Sequence, residues 1–376
     1  TALFTGYVVL GKYEIGNTNT FYSFNPVEGF RLRLGGRTTP KFNRNIYFEN
    51  YVAYGFKDEK FKYGAFATYS FNNKSIYTFP LNYIRLGYQY DMKIPGQDLQ
   101  FVQEDNFLLS FKRGKNDKWI YNRIFTLQHV RELGKNISVT LGFKNNEQTP
   151  AGAIRYDKYT GAGDTINIPN LTTSEFSAEL RWAPNEQFYQ GKSYRIPIIN
   201  KYPIFKLRYI AGIKGFANGQ YNYHNLNLYA EKRFYMSQLG YTDLTVEAGR
   251  VFGKLPFPLL TIHRANQTYG YQLNSYNLMN FLEFVSDKYY AANFDVHFNG
   301  FFLNKIPLIR KLKLREVGSF KILYGSLSDQ NNPNKNHDLY AFPNDPETHV
   351  PYTFTLNSKP YIEASVGLGN IFKLFR

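Results

Sequence analysis

The chain of 376 residues contains no cysteine. Disulfides, thiolate metal sites and cysteine nucleophiles are excluded at once. A cysteine-free chain suits an oxidising envelope compartment, although many soluble proteins also lack the residue. Tryptophan is scarce as well, with 2 in the whole sequence. No run of eighteen apolar residues occurs, which rules out transmembrane helices. Barrels escape that test, because half of every spanning strand faces a polar lumen. The start, TALFTGYVVLGKYEIG, shows no basic region, apolar region and cleavage site in that order, and reads as strand from its third residue. The expectation is a mature or trimmed piece, with any export signal upstream.

What is abundant is aromatic. Tyrosine (33) and phenylalanine (34) supply nearly all of an 18% aromatic content. A soluble core built on Leu, Ile, Val and Ala rarely carries so many tyrosines. The stretch SEFSAELRWA (174–183) sets Phe176, Ala178, Leu180 and Trp182 against Glu175, Ser177, Glu179 and Arg181. Side chains of a strand alternate between faces, so this is a strand with one apolar and one charged face. GFRLRLGG, FKYGAFATYS, YIRLGYQYD, NISVTLGFK, FKLRYIAGIK, NLNLYAEKR, DLTVEAGRVF, NFDVHFNG and YIEASVGLG repeat the pattern. Such segments number about sixteen, many about ten residues long, the length a tilted strand needs to cross a bilayer. No segment has a defensible helical period and no linker divides the chain. The sequence therefore predicts an all-β fold: one transmembrane antiparallel β-barrel domain over residues 1–376, with long loops.

Against a soluble sandwich or propeller stand the strand length and the aromatic residues near strand ends, at Phe61, Tyr69, Tyr88, Tyr90, Trp182 and Tyr209. Interfacial girdles require such residues. The opposite faces carry the lumen-facing candidates Arg31, Arg33, Arg85, Glu179, Arg181, Lys206, Arg208, Glu231, Arg233, Glu247, Asp295 and His297. Short connections are expected at 56–60, 132–136 and 216–222, and long ones at 145–173, 253–276 and 326–359. Long loops face outward in bacterial barrels. Counting strands along the sequence puts the loops beginning at 253 and 326 on opposite sides, so no orientation follows.

Enzymatic signatures are missing. The six histidines form no HExxH or H-x-H spacing, and no GxSxG elbow occurs. His297 alternates with Asp295 and Asn299, which better suits a lumenal hydrogen-bond network than a catalytic couple. Gly114, Gly134 and the GAG at 161–163 read as turn glycines. The net charge of +16 is spread through the strands rather than collected on one element. It implies no nucleic-acid partner; balancing anionic lipopolysaccharide and lining the lumen account for it better. In NGFFLNKIPLIRKLKLREVGSF (299–320), Arg310, Lys311, Lys313 and Arg315 follow Asn304 and Pro307. A turn with snorkelling cations at the membrane edge is the preferred reading, ahead of a basic patch for lipid headgroups or a partner protein.

The run NLMNFLEFVSDKYYAANFDVHFNGFFLNKIPLIRKLKLREV (277–317) resembles the hallmark segment of a family of Bacteroidetes outer-membrane barrels of unknown function. Asn280, Glu283, Phe284, Ser286, Asp287, Tyr289, Asn299, Gly300, Pro307, Leu308, Arg310, Leu312, Arg315 and Glu316 carry the match, supported by FNPVEGFRLRLGGRT (24–38). The resemblance implies an N-terminal carboxypeptidase-regulatory-like domain and closing strands beyond Arg376. The family is in turn distantly similar to assembly and translocation barrels of the BamA/TamA type. Their lumenal loop bears an Arg-Gly-aromatic motif; HRANQTYGYQL (263–273) offers only Arg264, separated from Tyr269, Gly270 and Tyr271.

The resulting expectation is a non-enzymatic integral outer-membrane protein without cofactor or metal. Its partners would be outer-membrane lipid, lipopolysaccharide and other outer-membrane proteins or lipoproteins. The role favoured is a structural or accessory one in an assembly complex; the alternative is a channel or transporter with a basic, anion-favouring lumen.

Overall fold

The computed structural model describes residues 6–98, 107–134, 136–160, 165–191, 194–357 and 359–371. The glycines at 161–163 lie outside these residues. Three short strands, β1 (Tyr7–Leu10), β2 (Tyr13–Gly16) and β3 (Tyr22–Asn25), precede β4 (Gly29–Thr38). β2 pairs with the second half of β4 and β3 with the first. β5 (Ile46–Gly55), β6 (Lys60–Ser70), β7 (Asn82–Lys93), β8 (Lys118–Leu133) and β9 (Ile137–Gly152) continue as a meander. A small hairpin of β10 (Asp157–Tyr159) and β11 (Thr165–Asn167) precedes β12 (Leu171–Trp182). Another, of β13 (Phe188–Gln190) and β14 (Arg195–Pro197), precedes β15 (Ile204–Gly212). β16 (Tyr223–Tyr235) and β17 (Tyr241–Phe252) follow, and β18 (Thr261–Ile262) pairs with β19 (Val285–Ser286) inside the next loop. β20 (Lys288–His297), β21 (Arg315–Ser326) and β22 (Tyr361–Gly369) complete an antiparallel sheet of 16 strands. Among the described residues no α-helix forms, only short 3-10 turns. The expected all-β barrel is what the chain builds.

Register decides the faces. Paired residues of neighbouring strands share a face, so Leu34, Val52 and Tyr63 project one way while Arg33, Ala53 and Lys62 project the other. Leu34 is 62% exposed and Lys62 0%, which identifies the outside and the lumen. Leu86, Leu127, Leu141, Leu180, Leu207 and Leu228 carry the same outer face around the sheet. Aromatic residues border this apolar band: Phe61 packs on Tyr54 with centroids 4.8 Å apart, and Trp182 stacks on Phe205 at 5.8 Å near the other end. A leucine band between aromatic margins is the surface a bilayer requires.

Glycine shapes the inner face where aromatic rings cross it. A Cβ at Gly64 would meet Tyr51 Cε1 at 2.4 Å, so only glycine lets the Tyr51 ring lie flat across β6. Its hydroxyl thereby reaches Asp91 on β7.

Connections 94–117, 153–170, 253–287 and 327–360 all emerge at one end, hereafter the long-loop end. This corrects the strand count: the loops beginning at 253 and 326 are separated by two strands, β20 and β21, and an even number returns the chain to the same end. Residues 277–287 are apolar enough to pass for a further strand. They belong to the loop instead, where Met279, Leu282 and Val285 are fully buried. Residues 145–152, expected in a loop, extend β9.

Candidate functional site

The loop 253–287 folds into the lumen as a plug. Its Ala265, Tyr276, Met279 and Phe281, with Ile94 from the 94–117 connection, pack against Ala291 and Leu323 of the wall. A second cluster joins Phe257 and Leu282 to Ile154, Tyr156, Leu171 and Tyr340 from neighbouring loops and strand ends. The loop 327–360 braces it, with the Phe354 N–H donating to the Glu283 carbonyl at 2.7 Å.

Inward-pointing charges hold the plug by its backbone. Lys321 and Glu363 are register partners on β21 and β22, and both are buried. Lys321 Nζ donates to the carbonyls of Gln272 and Ser275 at 3.1 and 2.7 Å. Glu363 accepts from the N–H groups of Asn277 and Leu278, each at 2.9 Å. The paired charges thus satisfy polar backbone that would otherwise be stranded in the lumen. Tyr271 Oη donates to Ser319 Oγ at 2.7 Å, Lys118 Nζ to the Phe281 carbonyl at 2.9 Å. Arg264 hydrogen-bonds the Glu247 carboxylate of β17 and lies 3.8 Å from Asp98. Of the proposed loop motif, Arg264 and Tyr271 contact the wall, whereas Tyr269 is 80% exposed. Gly270 supplies carbonyl contacts to Asn266 and Thr268. Beside Arg264, His263 is hydrogen-bonded to Ser286 at 2.9 Å. Burial, with the Arg264 charge adding to it, lowers the His263 pKa to about 3.

Below the plug, towards the other end, the lumen is open and lined by charged side chains. A cavity of about 500 Å³ is lined by Arg181, Lys206, Glu231, Arg233, Asp243, Asp295 and His297, with plug residues Leu273 and Asn274 at its margin. A second, of about 680 Å³, is lined by Arg37, Glu49, Arg85, Glu132 and Arg195. By register, the twelve charged or His residues singled out in the sequence stand on the same face of the sheet as Lys62. Their ion-pair partners are not the charged neighbours two residues away on the same strand. Arg181 bonds Glu186 at 2.6 Å rather than Glu179, and Arg233 bonds Asp243 at 2.6 Å rather than Glu231. Residues two apart on a strand are separated by a full pleat repeat, whereas Asp243 sits directly opposite Arg233. Arg85 pairs with Glu49 at 2.9 Å, Arg33 lies 3.9 Å over the Tyr51 ring, Lys206 4.5 Å over Tyr229, and Arg208 stands opposite Glu179. His297 stacks on Tyr241 at 4.5 Å. Among the described residues no group of His, Asp and Glu is placed to hold a metal ion.

Arg31 belongs to a separate buried network. It donates to both oxygens of Asp91 and to Glu28, while Lys62 bridges Glu28 and Asp58 at 2.6 Å each. Tyr51 and Tyr121 close it with hydrogen bonds of 2.5 Å to Asp91 and Asp58. Sequence reasoning missed Lys62, Asp91, Lys321 and Glu363 as site residues. Asp91 lies in phase with Arg85 on the same strand; what the pattern lacks is any trace of a partner.

The 277–317 motif is divided by β20. Asn280, Glu283, Phe284, Ser286, Asp287 and Tyr289 shape the plug. The Glu283 carboxylate accepts from the Asn280 N–H at 2.6 Å, and Asp287 accepts from the N–H of Ser328 and the amide of Asn331 at 3.0 Å each. Phe284 packs against Tyr361 at 5.7 Å and Tyr289 against His263 at 5.4 Å. Asn299, Gly300, Pro307 and Arg310 lie at the opposite end, in the connection from β20 to β21, and Arg315 and Glu316 open β21.

Residues 11–332 match the C-terminal domain of the family of unknown function DUF5686. The chain belongs to that family. The DUF5686 fold is similar to the crystal structure of BamA from Haemophilus ducreyi lacking POTRA domains 1–3, with a TM-score of 0.53 and 8% identity. The alignment covers 96% of this chain and 64% of that one, so the DUF5686 chain spans somewhat under two thirds of its length. OmpT, an outer membrane protein of Vibrio cholerae, aligns over 90% of this chain and 87% of its own with a TM-score of 0.34 and 10% identity. No curated protein sequence matches.

Proposed function

We propose that this DUF5686 chain is an integral outer-membrane barrel that performs no chemistry itself and acts as a structural or accessory partner in a larger outer-membrane assembly. The observation that carries the proposal is the plug. A solute pathway needs a continuous wet lumen, and here the long-loop end holds an apolar core anchored by Lys321, Glu363 and Arg264. The charges below it are largely paired with one another, which argues against a ring of free cations selecting anions. His297 rests on Tyr241 and Asp295 lines a cavity without a placed nucleophile, an arrangement suited to structure rather than catalysis. Long loops face outward in bacterial barrels, so the long-loop end is assigned to the cell surface and the two charged cavities to the periplasmic side.

The test is extraction from native outer membrane in mild detergent through an added tag, with co-purifying proteins identified and quantified by mass spectrometry. Near-equimolar recovery of other outer-membrane proteins or lipoproteins is expected. The two charged cavities favour a channel as the second reading. Recovery of the chain alone, together with single-channel conductance in planar bilayers, would replace the first reading with the second.

A further inference from the structure

The connection between β20 and β21 is unlike a tight hairpin turn. It leaves β20 at His297, makes 3-10 turns at Leu303–Lys305 and Ile309–Leu312, and enters β21 at Arg315. Its shape is held from inside. Glu316 accepts from the N–H groups of Phe302 and Leu303, Arg315 bonds the Asn299 carbonyl, and Asn370 donates to the Lys313 carbonyl at 2.7 Å. Asn299 and Gly300 at one end and Lys313 at the other take positive φ, so the segment folds back on itself as a separate foot.

That foot exposes two chemistries. Leu308 is 79% and Leu312 58% exposed, with Phe302 and Ile306 about half exposed at 50% and 45%. Between Asn299 and Leu314 the sequence places Lys305, Arg310, Lys311 and Lys313 and no acidic residue. Among the described residues no carboxylate lies within ion-pair distance of these cations, whereas most lumenal cations have one. Arg315, grouped with them by sequence, is spent on the Asn299 carbonyl. The foot also continues the outer apolar band. Phe294 and Val296 carry the outer face of β20, and Phe298 extends the alternation to an edge-on contact with Phe302 at 5.2 Å.

We propose that the 298–314 foot is a membrane-docking element. Its exposed Leu308 and Leu312 enter the bilayer interface, and Lys305, Arg310, Lys311 and Lys313 engage the headgroups of anionic phospholipids in the leaflet at that end. Clustered cations beside apolar side chains bind an anionic surface through both terms at once. Snorkelling alone would need long side chains rising from spanning strands; these four cations sit on a connector outside them. The proposal rests on the barrel lying in a bilayer, so the experiment controls for that separately.

The absence of cysteine makes single-site labelling clean. Leu308→Cys and, in the outer band, Val52→Cys are each labelled with an environment-sensitive fluorophore. Both are reconstituted into phosphatidylcholine vesicles with and without phosphatidylglycerol, using brominated acyl chains as quencher. Val52→Cys should be quenched in both, which tests insertion. Leu308→Cys should be quenched several-fold more strongly with phosphatidylglycerol, and added salt should weaken the difference. Adding K305Q, R310Q, K311Q and K313Q to Leu308→Cys should abolish the dependence on lipid charge. The same four changes on the Val52→Cys background report whether the barrel still inserts. Failure at Val52 would overturn the membrane reading itself. Quenching at Val52 with a water-like signal at Leu308 would overturn the foot and point to a protein surface there. Equal quenching at Leu308 in both lipids would overturn the headgroup interaction and leave simple apolar anchoring.

Discussion

Arg31 and Asp91 meet across two intervening strands, with Nη1 and Nη2 donating to Oδ1 and Oδ2 at 2.7 and 3.0 Å. The guanidinium fork matches the carboxylate, and neither group reaches water: Arg31 is 1% and Asp91 5% exposed. Glu28, Lys62 and Asp58 extend the pair into a network that ties β4, β6 and β7 together around the Tyr51 ring.

Removing one partner strands a charge in the lumen wall. Asp91→Ala is expected to destabilise the folded barrel by about 3–5 kcal/mol, the usual cost of an uncompensated buried charge. Arg31→Met combined with Asp91→Ala should recover part of the loss. Urea midpoints in detergent micelles provide the check.

The plug should loosen when its links to the wall are cut. Arg264→Ala removes the bond to Glu247 but leaves Lys321 and Glu363 in place. A hydrogen bond to a charged group contributes about 1.5–3 kcal/mol, so exchange of loop amides near 264 is expected to rise roughly tenfold or more. Global stability should change less. Hydrogen-exchange mass spectrometry separates the two.

His263 makes the plug sensitive to acid. Its folded pKa of about 3 lies below the ordinary value of 6.5, so the unfolded chain takes up a proton first as pH falls. Its contribution to stability is complete above pH 6.5 and is lost as pH drops towards 3, with a slope of about 1.4 kcal/mol per pH unit. His263→Gln keeps a partner for Ser286 and should flatten the slope between about pH 6.5 and 5, above most carboxylate titrations. Equal slopes for both proteins would contradict the assignment.

Adjacent residues should respond oppositely to the same substitution. Leu141 lies in the outer band opposite Ala178, and Thr140 faces inward opposite Glu179. Leu141→Arg should cost about 2–4 kcal/mol in a bilayer, while Thr140→Arg gains a carboxylate across the strand and should cost little. Folding titrations into vesicles measure both, and equal losses would mean the faces are misassigned.

Much of this was legible in advance because of one local rule. A strand turns successive side chains to opposite faces whatever lies around it. The phase of GFRLRLGG therefore placed Arg31 and Arg33 inside before any partner was known, and SEFSAELRWA did so for Glu179 and Arg181. The same rule put Phe61 and Trp182 outside. It is silent about connections, which have no period. Residues 277–287 look as apolar as a strand, yet they form the inside of a plug, and no period in the sequence tells the two apart.

The sequence by itself determined the class of fold and the face of nearly every strand residue, because alternation is a property of the backbone. Tertiary structure decided which charges meet. Arg233 finds Asp243 through register, Arg31 finds Asp91 across two strands, and Lys321 and Glu363 find the backbone of a loop distant in sequence. Those partners depend on strand stagger and on the path of the loops, and both are set only when the whole sheet has assembled.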